Sequence, residues 1–180
     1  DKDTYVPGEQ IVVTFPSVKG SRAIISIENG TRVLSTTEHV CNDGQTTVKL
    51  AVTPDMQPNA YLYITLLQPH GVTKNDLPIR MYGVVPFTVT SPESHLAPII
   101  HMADEVKPEA PCHVMVSEKN GREMAYTLAI VDEGLLDLTR FRTPDPWQAF
   151  NAREALGVNT WDLYNYVVGA YGGRIEQLFS

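Results

Sequence analysis

Cysteine, positive charge and long apolar runs are all scarce in this chain of 180 residues. Its two cysteines, Cys41 and Cys112, have no CxxC or Cys/His metal spacing and are too few for a disulfide framework, so each is predicted to be a small buried hydrophobe with no mutual bond. Fourteen Lys and Arg residues against 21 Asp and Glu give a net charge of -7, which argues against the basic stripe of a nucleic-acid binder.

The start of the chain and its hydropathy suggest a piece of a longer protein. No apolar run approaches the roughly 18 residues that a membrane helix needs. The first residues, from Asp1 to Thr4, include no starting Met and no signal-peptide core. We therefore interpret the chain as a segment from inside a larger protein.

Motifs of enzymes are also missing from the sequence. There is no GxSxG elbow, no HExxH zinc motif and no GxxxxGK[ST] phosphate loop. The adjacent carboxylates Asp132 and Glu133 would point to opposite faces of a strand, so they are interpreted as turn residues. The sequence predicts no catalytic residue, no metal site and no cofactor.

Short runs of alternating apolar and polar residues predict half-buried β-strands in the first half of the chain. The breaks at residues 29–30 and 42–44 combine Asn or Asp with Gly, and we expect both glycines to supply the positive φ angles of tight hairpins. Strands at this spacing are typical of a β-sandwich. The predicted apolar faces are Ile11, Val13 and Phe15; Ala23, Ile25 and Ile27; Val48, Leu50 and Val52; Leu62, Ile64 and Leu66; and Val85, Phe87 and Val89, with residues 32–40 as a further strand.

A weak internal repeat predicts a second unit of the same kind. Residues 5–9 are similar to residues 106–110, and residues 23–30 to residues 127–134, in the same order. The predicted fold class is therefore mainly β, with tandem immunoglobulin-like β-sandwich domains. The first domain is predicted to span residues 1–92, and the second to begin at residue 93 and carry strands to about residue 139.

The second unit is predicted to be incomplete and followed by short helices. Asp145 is a good N-cap, Pro146 suits the first helical position, and Gly157 is the expected stop. Thr160 can cap a second helix, so residues 145–168 are predicted to be helical. The glycines from Gly169 onward predict a flexible tail over residues 169–180.

Asn29, Gly30 and Thr31 fit the pattern of an N-glycosylation acceptor. They also lie in a predicted tight turn, which explains the same residues without a sugar. The turn is the preferred interpretation.

Residues 128–141, followed by Thr143-Pro144-Asp145-Pro146-Trp147, resemble the segment that leads into the bait region of the α2-macroglobulin family, above all in its bacterial members. Residues 5–9, 27–29, 77–83 and 155–164 are also similar to parts of that family. The resemblance covers most of the chain, and it implies sandwich domains of the macroglobulin type, with residues 93–180 as the first part of the domain that carries the bait.

This resemblance implies a broad-spectrum protease inhibitor rather than an enzyme. In that family a protease cuts the bait, the shell of domains rearranges, and a thioester in many members acylates the protease. The thioester motif Cys-x-Glu-Gln is absent here, because no suitably placed Cys precedes Glu176 and Gln177. The bait candidates are the glycine-rich, polar positions near the end of the chain and the bonds that basic-specific or apolar-specific proteases would cut: Gly172, Gly173, Arg174, Ile175, Leu178 and Phe179.

The implied partners are target endopeptidases, bound through the bait of the parent protein, and other macroglobulin domains of the same chain. The implied location is the periplasm, with a tether to the inner membrane through a lipidated N-terminus outside this chain. The alternative is a structural or adhesive spacer of tandem β-sandwiches on a cell surface. That alternative does not explain the interrupted second unit and its glycine-rich end.

Overall fold

The computed structural model describes residues 2–68, 80–161 and 163. These residues form nine β-strands and two short α-helices, so the predicted mainly β fold class is confirmed. No helix among them is long and apolar enough to span a membrane. The strands are β1 Thr4–Tyr5, β2 Gln10–Ser17, β3 Arg22–Glu28, β4 Val33–Val40, β5 Gly44–Ala51, β6 Asn59–Leu67, β7 Arg80–Val89, β8 Pro98–His101 and β9 Met115–Glu118; the helices are α1 Glu133–Thr139 and α2 Pro146–Phe150.

The strands form three sheets. The largest has five strands in the order β1-β7-β6-β3-β4, and the others pair β2 with β5 and β8 with β9. Strand β3 runs antiparallel to both of its neighbours, so that Ile25 lies opposite Ile64 of β6 and Thr37 of β4. All six strands predicted from the alternation in the first half of the chain are confirmed, as β2 to β7.

The residues of the chain cluster into two compact units. Of the described residues, unit 1 contains those within 1–14, 47–59 and 87–153, and unit 2 contains those within 15–46, 60–86 and 154–180. The predicted domain limits, 1–92 and 93–180, follow a different division of the chain and stay a prediction.

Unit 1 has an aromatic pair at its centre. The rings of Tyr5 and Phe87 meet edge to face, with centroids 5.8 Å apart. Such a pair contributes about 0.5–1.5 kcal/mol beyond the apolar area that it buries. The other buried hydrophobic side chains of this unit are Ile11, Val48, Val52, Met56 and Val89.

The core of unit 2 follows the pairing of β3 with β6. Ala23 lies opposite Leu66 and Ile27 opposite Leu62, and all four side chains are buried. This arrangement explains the sequence pattern, because alternate residues of a strand face the same side of a sheet. Cys41 is buried in the same unit, whereas Cys112 is exposed, and both are free thiols. The prediction of a buried cysteine is therefore confirmed for Cys41 and wrong for Cys112.

The two predicted glycine turns differ in how they are built. Gly44 has a φ of 81°, as predicted, but Gly30 is not among the glycines with positive φ. The side chain of Asn29 builds the β3–β4 loop instead: its Oδ1 atom accepts hydrogen bonds from Thr31 N at 3.0 Å, Thr31 Oγ1 at 3.0 Å and Arg32 N at 2.9 Å. The Asn29 side chain therefore shapes this turn, and the turn does not need a positive φ angle at Gly30.

The strands predicted up to about residue 139 end earlier. The turn after β9 forms, with Gly121 at a φ of 74°, but residues 122–132 form no strand. Residues Glu133–Thr139 form α1, because Asp132 Oδ1 accepts a hydrogen bond from Gly134 N at 2.9 Å and so caps the helix. Asp132 is therefore a helix cap, and the strand predicted for residues 127–132 is wrong.

The predicted helix after Asp145 begins where expected. Asp145 caps α2 by accepting a hydrogen bond from Gln148 N at 2.9 Å, and Pro146 occupies the first turn. The helix ends at Phe150, ahead of the predicted stop at Gly157, and the Asn151 side chain donates to Trp147 O at 2.9 Å. The second helix predicted from Thr160 and the tail at 169–180 lie largely outside the described residues.

Candidate functional site

The six bait candidates, Gly172, Gly173, Arg174, Ile175, Leu178 and Phe179, lie outside the described residues. The structure describes the segment that leads toward them, from Asp145 to Trp161. Two attachments hold this segment, one in unit 1 and one in unit 2. They are the candidate functional site.

The first attachment, in unit 1, joins α2 to the polar segment at residues 91–95. Trp147 Nε1 donates a hydrogen bond to Ser94 Oγ at 2.9 Å. The His95 ring meets the Trp147 ring edge to face, with centroids 4.7 Å apart and an interplanar angle of 78°. Ser94 is the last residue of a short 3-10 turn, Pro92–Ser94. The indole is thus fixed by a polar bond and by a ring contact.

Arg122 holds the same polar segment from the turn after β9. Its guanidinium donates to the backbone carbonyl of Glu93, to that of His95 at 2.7 Å, and to Glu118 Oε1 at 2.9 Å. A planar guanidinium suits such a task, because its donors point in several fixed directions. Residues 93–95 therefore contact both Arg122 and Trp147.

The Glu118 side chain binds both the Arg122 guanidinium and the backbone around it. Its carboxylate is buried and accepts backbone hydrogen bonds from Ala97 N at 3.3 Å, Asn120 N at 2.6 Å and Arg122 N at 3.2 Å. The hydrogen bond from the Arg122 side chain is the largest cause that lowers the pKa of Glu118 to about 2, and it outweighs burial, which acts in the opposite direction. Glu118 therefore carries its charge over the whole physiological range.

The second attachment, in unit 2, holds residues 154–161, which we call the arm. The hydroxyl of Tyr61, on β6, donates a hydrogen bond to the backbone carbonyl of Glu154 at 2.9 Å. The arm has no regular secondary structure. The Tyr61 hydroxyl thus pairs a backbone carbonyl that no regular secondary structure pairs.

The arm crosses the β3–β4 loop at two glycines. A Cβ atom built on Gly157 would lie 1.8 Å from the carbonyl oxygen of Gly30 and 2.7 Å from its carbonyl carbon. A Cβ atom built on Gly30 would lie 2.7 Å from Glu154 Oε2 and 3.2 Å from the carbonyl oxygen of Ala155. The two backbones therefore approach each other at a distance that only glycine permits.

The end of the arm lies beside an aromatic cleft of about 410 Å³ in unit 2. Tyr63 of β6 and Tyr82 of β7 stack with centroids 6.3 Å apart and an interplanar angle of 8°. Thr160 and Trp161 line the same cleft, although the Trp161 side chain stays 88% exposed. The arm thus follows β6 from Tyr61 toward Tyr63.

Both attachments hold a segment of the chain in position. In the part of the chain that the structure describes, no group of three or more His, Cys, Asp and Glu side chains could hold a metal ion. The geometry provides a peptide segment that is held by the Trp147 and Tyr61 side chains and by the close approach of Gly30 and Gly157. Nothing local in the sequence connects Tyr61, Gly30 and Gly157, because their contacts join residues that are far apart in the chain.

Comparisons with known proteins give a consistent result. The family described as "Alpha-2-macroglobulin bait region domain" matches residues 1–138. The chain is 26% identical to an alpha-2-macroglobulin of Xylella fastidiosa strain Temecula1, over 99% of this chain and 11% of the relative. It is also 26% identical to the alpha-2-macroglobulin of Escherichia coli K12, over 96% of this chain and 11% of that protein.

A solved structure resembles the fold. The cryo-EM reconstruction of E. coli alpha-2-macroglobulin in its native conformation matches with a TM-score of 0.50 and 22% identity, over 87% of this chain and 10% of the solved chain. This likeness concerns the fold alone. The chain spans about a tenth of the length of each of these relatives.

Proposed function

Because the chain belongs to the α2-macroglobulin family, with its immunoglobulin-like macroglobulin fold, we propose that it is part of a protease inhibitor that responds to cleavage of a bait. In this role the chain is the substrate of the target endopeptidase and performs no catalysis itself. Cleavage changes the conformation of the parent protein, which then traps the protease.

The observation that carries this proposal is the attached segment ahead of the bait candidates. An inhibitor of this kind needs a peptide that a protease can draw out as an extended strand, next to a region that holds its position. Trp147 and Gly157 supply the fixed region. Residues Gly172 to Phe179 supply the glycine-rich peptide, with Arg174-Ile175 as the bond for basic-specific proteases and Leu178-Phe179 for apolar-specific ones.

Exposed apolar side chains support contacts with other macroglobulin domains of the parent protein. Large hydrophobic residues of unit 1 after β9 are far from buried: Ile130 is 78% exposed and Leu138 is 83% exposed. Exposed apolar side chains that are concentrated in one part of a chain are a feature of interaction surfaces. The further members of the set are Tyr126, Leu128, Val131, Leu135, Phe141 and Phe150.

The proposed location is the periplasm, with a lipid tether to the inner membrane in the parent protein. The matched relatives are bacterial. The resemblance to bacterial members of the family is what implies this location. Fractionation of cells that express the full-length protein tests the location. Recovery in the cytoplasmic fraction would contradict it.

Limited trypsin treatment of the full-length protein at a low enzyme ratio tests the function. We expect one fast cut, at the Arg174-Ile175 bond, found by N-terminal sequencing, together with a shift in native-gel mobility and retention of the protease. The variant Arg174→Gln is the matched control and should delay both the cut and the shift. An intact Arg174-Ile175 bond with cleavage only upstream would reject this bait, and slow cleavage at many sites would favour the spacer.

A further inference from the structure

We propose that the crossing of Gly30 and Gly157, together with the Tyr61 hydroxyl, forms a clamp that sets the upstream limit of the protease-accessible segment. This inference rests on the proposed function, since it concerns where the accessible part of the bait segment begins. It assigns a positioning role to three residues that lie upstream of every bait candidate.

Arg153 shows why such a limit matters. It is exposed, and it precedes Glu154, the first residue of the arm. A cut at the Arg153-Glu154 bond would separate α2 from the bait candidates. The proteases that would cut after Arg174 also recognise arginine at position 153, and the backbone contacts of the arm oppose a cut there.

The backbone after Arg153 is held in a way that opposes cleavage. A protease takes its substrate as an extended strand and needs the backbone donors and acceptors on both sides of the bond. The carbonyl of Glu154 is already bonded to Tyr61, and the carbonyl of Ala155 faces Gly30. The Arg153-Glu154 bond can therefore enter a protease only after the arm has left β6 and the β3–β4 loop.

The crossing itself can be opened by a single methyl group. The atoms that a Cβ on Gly157 would meet, at 1.8 and 2.7 Å, are the carbonyl oxygen and carbon of Gly30. Both belong to the backbone of a loop that Asn29 fixes with three hydrogen bonds. The loop has no flexible side-chain end to move aside, so the arm must shift instead.

The test compares trypsin cleavage after Arg153 and after Arg174 in the full-length protein, with both peptides quantified by mass spectrometry. The variants are Gly157→Ala, Tyr61→Phe and the matched control Gly83→Ala, whose added Cβ meets nothing within 4 Å. We expect Gly157→Ala to speed the cut after Arg153 about tenfold, because cleavage follows the population of the open arm. The Gly83→Ala protein should match the wild type at both bonds.

Tyr61→Phe keeps the ring and removes the hydroxyl, so we expect a smaller increase, of about threefold, after Arg153. Circular dichroism checks whether Gly157→Ala folds. If it does not, the comparison is made with Tyr61→Phe alone. Wild-type cleavage after Arg153 that is as fast as in the variants would overturn the clamp, even with the Arg174-Ile175 bond cut as proposed. Protection of Arg153 with no cut at Arg174 would instead reject the bait and leave the clamp in place.

Discussion

Gly157 crosses Gly30 so closely that a Cβ atom on Gly157 would lie 1.8 Å from the Gly30 carbonyl oxygen. Each glycine is thus required by the other, and neither is required by its own φ angle, since neither appears among the residues with positive φ. Glycine is used here for close approach of two backbones. At Gly157 the arm meets the backbone of the β3–β4 loop directly, and beside it the Glu154 side chain lies against Gly30.

The first prediction concerns the order of effects of added methyl groups at these glycines. Gly157→Ala should loosen the arm most, because its Cβ would meet backbone atoms of Gly30. Gly30→Ala should have a smaller effect, since its nearest contact at 2.7 Å is the flexible end of Glu154, although Ala155 O lies at 3.2 Å. Hydrogen exchange of the amides of residues 154–161 measures the effect.

Gly83→Ala is the control for this series, because its Cβ would point into open space. Its exchange rates should equal those of the wild type. Equal exchange in Gly157→Ala and Gly83→Ala would show that the crossing does not hold the arm.

The second prediction concerns the indole of Trp147. Trp147→Phe removes the donor to Ser94 Oγ, so we expect the free energy of unfolding to fall by about 1 kcal/mol. Trp161→Phe is the matched control: its ring is 88% exposed, and its effect should stay within about 0.5 kcal/mol. Urea denaturation measures both changes.

A double-mutant cycle isolates the bond from the loss of ring volume. Ser94→Ala and Trp147→Phe should couple by about 0.5–1.5 kcal/mol, since both remove the same interaction. Strict additivity of the two changes would contradict a contribution from this bond.

The third prediction concerns pH. The pKa of Glu118 is lowered to about 2 in the folded chain, so its charged form stabilises the fold above the unfolded pKa, which lies near 4.5. This contribution should disappear as the pH falls from about 4.5 toward about 2. The difference in urea midpoint between wild type and Glu118→Gln should therefore be largest near neutral pH and shrink across that window.

Glu105→Gln serves as the control for Glu118→Gln, because it neutralises a carboxylate in an exposed loop. Its difference from the wild type should be small at neutral pH. A Glu118→Gln difference that stays constant between about pH 6 and about pH 2 would contradict the role of the ionised carboxylate.

The fourth prediction concerns the two thiols. Cys112 is exposed and Cys41 is only 3% exposed, so a thiol reagent should modify one thiol in the native chain and two in denaturant. Cys112→Ala should abolish the native reaction, and Cys41→Ala should leave it unchanged. Fast modification of both thiols without denaturant would show that the region around Cys41 opens readily.

The strands of the first half could be predicted from the sequence because each has a neighbour in the same chain. The alternation of Ala23, Ile25 and Ile27 matches their burial, and β4 and β6 pair with them. Residues 127–132 have a similar alternation and form no strand. A strand needs a partner for its backbone hydrogen bonds, and a local pattern does not report whether that partner is present.

Of the two helix caps, the sequence predicted one and not the other. Asp145 with Pro146 predicted the start of α2, because cap and first turn are adjacent in the chain. Asp132 carries the same chemistry, yet the apolar residues before it favoured a strand. The clamp was beyond sequence reasoning, since Gly30 fits a turn, Gly157 fits a helix stop, and nothing local connects them.

The position of Asn29 in the β3–β4 loop also has a consequence for the choice of expression host. Asn29 begins an acceptor pattern for N-linked sugars, and its Oδ1 atom already accepts three hydrogen bonds that shape the loop. In a eukaryotic secretory pathway an oligosaccharide on Asn29 would stand one residue from the place where Gly157 passes. Production in bacteria avoids that modification and leaves the passage open for the arm.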